Sequence, residues 1–168
     1  MTHDLKPVDQ TTSATDREPQ PRSAAGAIVR GTRRMLLTAG WASLTEVTLP
    51  DGHRADIMAI NDRGEIMIVE VKSSLADFRS DHKWHAYQDY CDRFYFAVDG
   101  QFPDDLIPEE TGLIRANAYE AIILREAIPA KLAASRRKSL THRFAAMAGR
   151  RLQIMDDPWA GNLHSGLE

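Results

Sequence analysis

The spacing of hydrophobic positions changes several times between residues 24 and 150, and each change predicts a new element. Apolar residues recur at helical intervals over residues 24–39, and Gly40 follows as a stop signal. Residues 80–90 and the basic stretch from Pro129 to about residue 148 are predicted to form two more helices. Alternating positions or short apolar runs between turn residues predict strands over residues 44–49, 54–60, 65–72, 94–98, 112–115 and 121–125.

The order of these elements is helix, three strands in a meander, helix, strand, two short strands and helix. It predicts an α/β chain whose central sheet mixes antiparallel hairpins with one crossover, because the segment between the third and fourth strands is long enough to make that pair parallel. Residues 24–155 are expected to form one domain. Residues 1–23 have almost no large apolar side chains and are predicted to be a disordered tail, with a C-terminal tail over residues 156–168.

Composition mainly excludes classes of protein. The chain has 168 residues, a hydrophobic fraction of 43% and a formal net charge of −3, which is typical of a globular protein and not of a general polyanion binder. Cys91 is the single cysteine, so no intrachain disulfide is possible. No apolar run approaches the roughly 18 residues of a membrane span, and the N-terminus lacks the apolar core of a secretory signal. We therefore expect a cytoplasmic protein with no membrane partner.

The second and third predicted strands carry the candidate chemistry. Side chains alternate along a strand, so Glu70 and Lys72 share one face of the third strand. A pairing in which residue numbers sum to 126 matches Met58 with Ile68, leaves a five-residue loop and sets Asp56 directly opposite Glu70. The Cβ atoms of such a directly opposed pair lie roughly 5 Å apart.

Two opposed carboxylates repel, and a divalent cation is the simplest compensation. Mg²⁺, or Mn²⁺ in its place, prefers one or two carboxylates together with water and substrate phosphate oxygens. Lys72 is placed to contact water near that metal and to neutralise charge developing on a phosphorane. The residues therefore indicate metal-assisted attack of water on a phosphodiester. The alternative from the same residues is a cross-strand charge network in which Lys72 pairs with Asp56 or Glu70.

The acid-x-Lys triplet alone carries little weight, because the chain contains three copies, beginning at Asp4, Glu70 and Asp81. Only the copy at Glu70 ends an apolar strand and has a partner carboxylate across a tight hairpin. The argument therefore depends on the context of the triplet.

Three stretches together resemble a known family: residues 54–57, residues 68–73 and the helical pattern over residues 81–92, which contains Asp81, Lys83, Trp84, Tyr87 and Tyr90. They resemble the MmcB-like family of bacterial DNA-repair proteins within the PD-(D/E)xK nuclease superfamily, as does the strand over residues 94–98. The resemblance covers about residues 24–150. It implies a restriction-endonuclease-like αβββαβ core, with a mixed central sheet flanked by helices.

The same resemblance implies a DNA repair role, with endonuclease activity and a possible link to crosslink damage. It matches Asp56 and Glu70 with the metal-binding acids and Lys72 with the catalytic lysine. Ala55 stands where the motif has proline, and the first helix has no acid, so Glu46 on the first strand is the candidate third ligand. Lys83 and Gln88, on the helix after the Glu70 strand, are candidate auxiliary residues that orient phosphate or water, although for each taken singly a solvated helix face is the better explanation.

Basic residues are concentrated in two segments without acids, 22–34 and 131–151. Such segments suit a surface that tracks phosphates, although a basic helix can also be a solvated face. Candidate contacts to DNA are Arg30, Arg33, Arg34, Arg136, Arg137 and Lys138.

The favoured function is a Mg²⁺-dependent deoxyribonuclease acting on damaged or branched DNA at the nucleoid, alone or with other repair proteins. The alternative is a non-catalytic DNA-binding or adaptor module that keeps the nuclease fold, and an RNA-directed nuclease ranks last. The sequence does not define an oligomeric state.

Overall fold

The computed structural model describes residues 21, 23–81 and 83–159. The predicted N-terminal tail and residues 160–168 of the predicted C-terminal tail lie outside the described residues, apart from residues 21 and 23. The elements are α1 (Ala24–Thr38), β1 (Trp41–Thr48), β2 (Arg54–Asn61), β3 (Ile66–Lys72), α2 (Leu75–Ser80), α3 (Trp84–Gln88), β4 (Arg93–Val98), a 3-10 turn (Asp104–Leu106), β5 (Gly112–Ala116), β6 (Ala121–Arg125) and α4 (Ala134–Asp156).

The six strands form one mixed sheet in the order β1-β2-β3-β4-β5-β6. β1 with β2, β2 with β3 and β5 with β6 are antiparallel, whereas β3 with β4 and β4 with β5 are parallel. The predicted parallel crossover between β3 and β4 is confirmed. The expectation of a single crossover is wrong, because the long connection from Val98 to Gly112 makes β5 parallel to β4 as well.

Helices cover both faces of the sheet. α1 packs on the face that presents Met67, Val69 and Val71 of β3. On the other face, Ile66 and Ile68 pack in a cluster with side chains of α3 and α4. Every residue of β3 is buried, which explains its nearly continuous apolar sequence. Because side chains alternate, Glu70 and Lys72 continue the face of Ile66 and Ile68.

The helix predicted over residues 80–90 is shorter in the structure, because α3 spans only Trp84–Gln88, and a short helix that was not predicted, α2, precedes it and ends at Ser80. The backbone of Asp81 is extended, and its carboxylate accepts a hydrogen bond from the Lys83 backbone N–H at 2.9 Å. That local bond competes with helix continuation. α2 begins after Ser74, whose hydroxyl caps the helix by accepting from the Asp77 N–H.

The last helix begins at Ala134 and not at Pro129, and it continues to Asp156. The preceding residues are held in an extended path, because Ala130 N–H donates to the Asp92 carbonyl and Leu132 N–H donates to the Asp92 carboxylate. Pro158 lies just beyond the C-terminal end, which fits the disfavour of helix before proline. Within the described ranges, no helix combines the length and apolar character needed to cross a membrane.

Candidate functional site

The β2–β3 hairpin brings Asp56 and Glu70 together in the predicted register. Ile57 pairs with Val69, and Met58 pairs with Ile68, so the predicted sum of 126 is confirmed. The backbone pairing of β2 with β3 stops at Ile57. Beyond it, hydrogen bonds from backbone N–H groups to the two carboxylates join the strands. Asp56 N–H donates to Glu70 Oε1 at 3.2 Å, and Val71 N–H donates to Asp56 Oδ2 at 2.8 Å. Each carboxylate is therefore anchored by the backbone of the opposite strand.

Burial makes this pair of carboxylates electrostatically unfavourable. Glu70 is 4% exposed, and burial together with the negative charge of Asp56 raises its pKa to about 8. Burial also raises the pKa of Asp56, although the Val71 N–H and the positive charge of Lys72 oppose the shift. Hard carboxylate oxygens are the donors that Mg²⁺ prefers, and a cation between them would remove the repulsion. The donor set therefore fits a divalent cation.

Lys72 is the last residue of β3 and lies beside this pair of carboxylates. Two acidic side chains, in α2 and directly after it, neutralise its charge. Its Nζ lies 2.5 Å from Asp81 Oδ2 and 3.9 Å from Asp77 Oδ1, while the side chain is 6% exposed. Burial alone would raise the pKa of Asp81, but the bonds from Lys72 and Lys83 outweigh it and leave that pKa lowered. The direct ion-pair partners of Lys72 are thus Asp81 and Asp77, and not Asp56 or Glu70.

Asp81 is a site residue that the reasoning from sequence missed. It begins one of the three acid-x-Lys triplets, so its presence in the helical stretch that resembles the MmcB-like family was the available signal. Nothing in the local periodicity indicated that this acid folds back onto β3.

Glu46 lies across from Asp56, because Thr45 pairs with Ile57 and Val47 pairs with Ala55. Its φ of 54° places it in the left-handed region, a conformation that costs on the order of 1 kcal/mol for a residue with a side chain. Its carboxylate pairs with Arg54 Nε at 2.6 Å, and its charge contributes to the raised pKa of Asp56. Among the residues that the structure describes, no three His, Cys, Asp or Glu side chains form a group that could hold a metal.

The two auxiliary candidates lie at different ends of α3. Lys83 is exposed next to Asp81, close to the ion pair of Lys72. Gln88 is exposed at the other end of the helix, where it lines a cavity of about 300 Å³ with Cys91, Asp92 and Phe94. None of Asp56, Glu70 and Lys72 lines that cavity, so the structure brings Lys83 near the site and Gln88 to a separate cavity.

The two basic segments lie mainly on opposite faces of the sheet. Arg30, Arg33 and Arg34 of α1 line a groove of about 530 Å³ with Trp41, on the face away from Glu70. The basic helix α4 packs on the other face. Both helices reach edge strand β1, where Arg33 of α1 donates to the carbonyl of Ser43, and Arg143 and Arg151 of α4 donate to those of Thr48 and Thr45.

The predicted basic residues at the start of α4 already have partners within the protein. Arg136 pairs with Asp89 at 3.1 Å and stacks on Tyr90. Arg137 forms two bonds of 2.7 Å to the Asp92 carboxylate and one to the Gly64 carbonyl. Lys138 is exposed. Gly64 belongs to the β2–β3 turn, so this basic group lies at the end of the hairpin opposite Asp56.

The mixed six-stranded sheet, flanked by helices on both faces, is consistent with a restriction-endonuclease-like core and defines the class of fold. The family model for DNA repair protein MmcB-like matches residues 10–159, so the chain belongs to the MmcB-like family of DNA repair proteins. The predicted resemblance to that family is confirmed, and membership supports a role in DNA repair.

Among solved structures, the chain is similar to the SPO1766 protein of unknown function from Silicibacter pomeroyi. The two share 44% sequence identity with a TM-score of 0.79, over 84% of this chain and 95% of that chain. No curated protein matches the chain.

Proposed function

We propose that the protein is a Mg²⁺-dependent deoxyribonuclease of the PD-(D/E)xK type, acting on damaged or branched DNA, including crosslinked DNA. The observation that carries this proposal is the pair formed by the buried Glu70 and the half-buried Asp56, beside the buried Lys72 at the end of one hairpin. Keeping both groups ionised at this position is costly unless a cation compensates their charge. DNA repair is the role that the family supports.

Asp56 and Glu70 would hold the metal, with Mn²⁺ able to replace Mg²⁺. The backbone bonds fix one oxygen of each carboxylate, and each group has a second oxygen with which to bind a cation. The chemistry that such an ion supplies when bound is Lewis-acid polarisation of the phosphodiester. Glu46 would act mainly through its charge, because its carboxylate pairs with Arg54.

Lys72 would stabilise negative charge as it develops on the phosphate. Its ammonium group is buried, so its field is weakly screened by solvent. Asp81 holds that group at 2.5 Å and would orient it. Lys83, whose backbone N–H donates to the Asp81 carboxylate, would contact a neighbouring phosphate.

DNA contact is assigned to exposed basic side chains. Near the site these are Arg79 at the end of α2 and Arg54 at the start of β2. Arg136 and Lys138 would contact DNA farther from the two carboxylates. Arg30, Arg33 and Arg34 of α1 would contact a DNA strand that passes the β1 edge of the sheet. An enzyme of this kind would act at the nucleoid, with other repair proteins as partners.

The test is cleavage of single-stranded, flap, fork and crosslinked DNA by the full chain in Mg²⁺ or Mn²⁺. We expect metal-dependent cleavage that falls by at least about 100-fold in Asp56→Asn and in Lys72→Met. Asp62→Asn is the matched control, because Asp62 is an exposed acid in the turn at the other end of the same hairpin. Cleavage of no substrate by the folded wild type with either metal would contradict the proposal.

A non-catalytic DNA-binding module is the second candidate, and the ion pair of Lys72 with Asp81 favours it, because that pair occupies the lysine within the protein. In this case the wild type binds DNA with a steep salt dependence and cuts nothing. Asp56→Asn then leaves DNA binding unchanged or strengthens it, because a negative charge near phosphate is lost.

A further inference from the structure

A cavity of about 570 Å³ lies at the turn end of the β2–β3 hairpin, on the face of the sheet where Met67 and Tyr95 pack with α1. Its walls come from the start of β1, the β2–β3 turn, the start of β4 and the residue that follows β6. Asp56, Glu70 and Lys72 are not among its lining residues. The cavity is therefore separate from the proposed metal site.

One wall of the cavity holds a carboxylate in a fixed orientation. Tyr95 is 1% exposed, and its hydroxyl donates to Glu126 Oε2 at 2.7 Å. Burial and this bond raise the pKa of Tyr95 to about 12, so the phenol stays a donor at neutral pH. Its ring lies against Gly112, where a Cβ atom would come within 2.2 Å of the ring. Glu126 Oε2 also lies 3.9 Å from Arg93 Nη1, so the wall presents an acceptor and a donor side by side.

Another wall of the cavity is aromatic and is fixed by the hairpin turn. Trp41, at the start of β1, pairs with Asn61 and is half-buried. The Asn61 side chain accepts from the N–H groups of Arg63 and Glu65 and donates to the Glu65 carboxylate at 2.7 Å. These bonds hold the turn in one conformation, so the cavity is preformed on this side as well.

Trp41 also lines the groove of Arg30, Arg33 and Arg34, so the two cavities meet at this side chain. That groove has three arginines and no acid among its lining residues, which suits phosphates. Proteins that bind single-stranded nucleic acid combine a basic track for the backbone with aromatic side chains on which bases stack. The groove and the cavity supply these two parts in adjacent positions.

The polar groups of the cavity match guanine best among the DNA bases. The carboxylate of Glu126 can accept from both N1–H and N2–H₂ of guanine, while the guanidinium of Arg93 can donate to the O6 or N7 acceptor of the same base. No other DNA base has two neighbouring donors on its pairing edge. The volume of about 570 Å³ also lies within the range of roughly 300–1,000 Å³ that is usual for small-molecule sites.

We propose that the cavity binds an unpaired guanine of single-stranded DNA, stacked on Trp41 and hydrogen-bonded to Glu126 and Arg93. The arginines of α1 contact the phosphates that flank this nucleotide. In a duplex the guanine is paired and stacked, so the site selects DNA with unpaired nucleotides, such as branched or mispaired DNA. The inference rests on the proposed binding of DNA but not on its cleavage, because the cavity and Glu70 lie on different faces of the sheet.

The experiment measures binding of the full chain to fluorescent oligothymidine of about 12 nucleotides by anisotropy in EDTA. The central nucleotide is dG, inosine, which lacks the 2-amino group, or an abasic site. The wild type should bind the dG strand at least about tenfold more tightly than the abasic strand, with inosine between them. Annealing of a complementary strand should abolish the difference between dG and inosine. Equal affinity for the three single strands would mean that phosphates alone are bound, and it would overturn the proposal.

Trp41→Leu should weaken binding of the dG strand at least about fivefold and leave binding of the abasic strand unchanged, because it removes the stacking surface and no phosphate contact. Trp159→Leu is the matched control, because Trp159 is exposed beyond the end of α4 and does not line the cavity. It should bind all three strands as the wild type does. Circular dichroism checks that each variant is folded.

Glu126→Gln is an independent variant that keeps an acceptor for the Tyr95 hydroxyl, and the side chain of Glu126 is exposed, so the fold should be retained. It should remove the preference for dG over inosine, whereas Glu109→Gln, at an exposed acid outside the cavity, should keep it. Wild-type preference in both Trp41→Leu and Glu126→Gln would overturn the proposal. A wild type that prefers dG but cuts no DNA would contradict the nuclease proposal and support this one.

Discussion

The carboxyl group of Glu70 stays protonated at neutral pH in the folded, metal-free protein. Its pKa of about 8, raised by burial and by the charge of Asp56, lies far above the ordinary value of 4.5. The folded state therefore binds this proton more tightly than the unfolded chain does. The resulting stabilisation is fully present below about pH 4.5 and is lost as the pH rises toward 8.

Glu70→Gln should remove this pH dependence, because glutamine resembles the protonated acid and does not titrate. In EDTA, the free energy of unfolding of the wild type should fall between pH 5 and pH 8 relative to the variant, by up to about 1.4 kcal/mol for each pH unit. Urea unfolding at several pH values measures the difference. Glu109→Gln, at an exposed acid, should follow the wild type, and parallel curves for wild type and Glu70→Gln would refute the prediction.

Arg137 illustrates how a residue assigned to DNA from sequence can have a structural role. Burial would raise the pKa of Asp92, but the bonds from Arg137, Ile66 and Leu132 outweigh it and leave that pKa lowered. Arg137→Ala should cost about 3 kcal/mol, because it leaves a buried carboxylate without its cation. Lys138→Ala, at the exposed neighbour, should change stability by less than about 0.5 kcal/mol. Equal urea midpoints for the two variants would show that the Arg137 pair contributes nothing.

At the scale of elements, the Lys72–Asp81 ion pair fastens the segment between α2 and α3 to the end of β3. No residue of α2 is fully buried, although Phe78 packs edge-on against Phe96 and Phe102, so the ion pair adds a second contact that holds this segment in place. Asp81→Asn should speed amide hydrogen exchange across residues 75–81 by at least about tenfold while β3 stays protected. Asp77→Asn is the control with the longer distance of 3.9 Å and should have a smaller effect. Unchanged exchange in Asp81→Asn would contradict this role.

Sequence patterns predicted best those elements whose conformation follows from the local spacing of hydrophobic residues. The β2–β3 register followed from matching Met58 with Ile68 across a short loop, and the structure has that register. The start of α4 and the break at Asp81 were not predictable in this way. Each depends on a polar side chain that reaches a distant element: Asp92 toward Leu132, and Asp81 toward Lys72.

At the scale of the whole molecule, basic side chains are divided between the two ends of the hairpin. Arg79 lies on α2, next to the partners of Lys72, whereas Lys138 lies beyond Arg137, which bonds the β2–β3 turn. The seven residues of β3 separate those ends by roughly 20 Å. A separation of roughly 20 Å is about six base pairs at a rise of about 3.4 Å each, so a duplex centred on Asp56 and Glu70 reaches Lys138 only when it is longer than about 12 base pairs.

This separation makes the effect of each basic residue depend on DNA length. In an Asp56→Asn background that prevents cleavage, Arg79→Ala should weaken binding of duplexes of about 8 and about 24 base pairs alike. Lys138→Ala should weaken only the longer one and reduce its salt slope by about 0.9, the value for one phosphate contact. Fluorescence anisotropy between about 50 and 200 mM salt measures both quantities. If Lys138→Ala weakens the short duplex as much as Arg79→Ala does, DNA is bound at the turn end of the hairpin and away from the carboxylates.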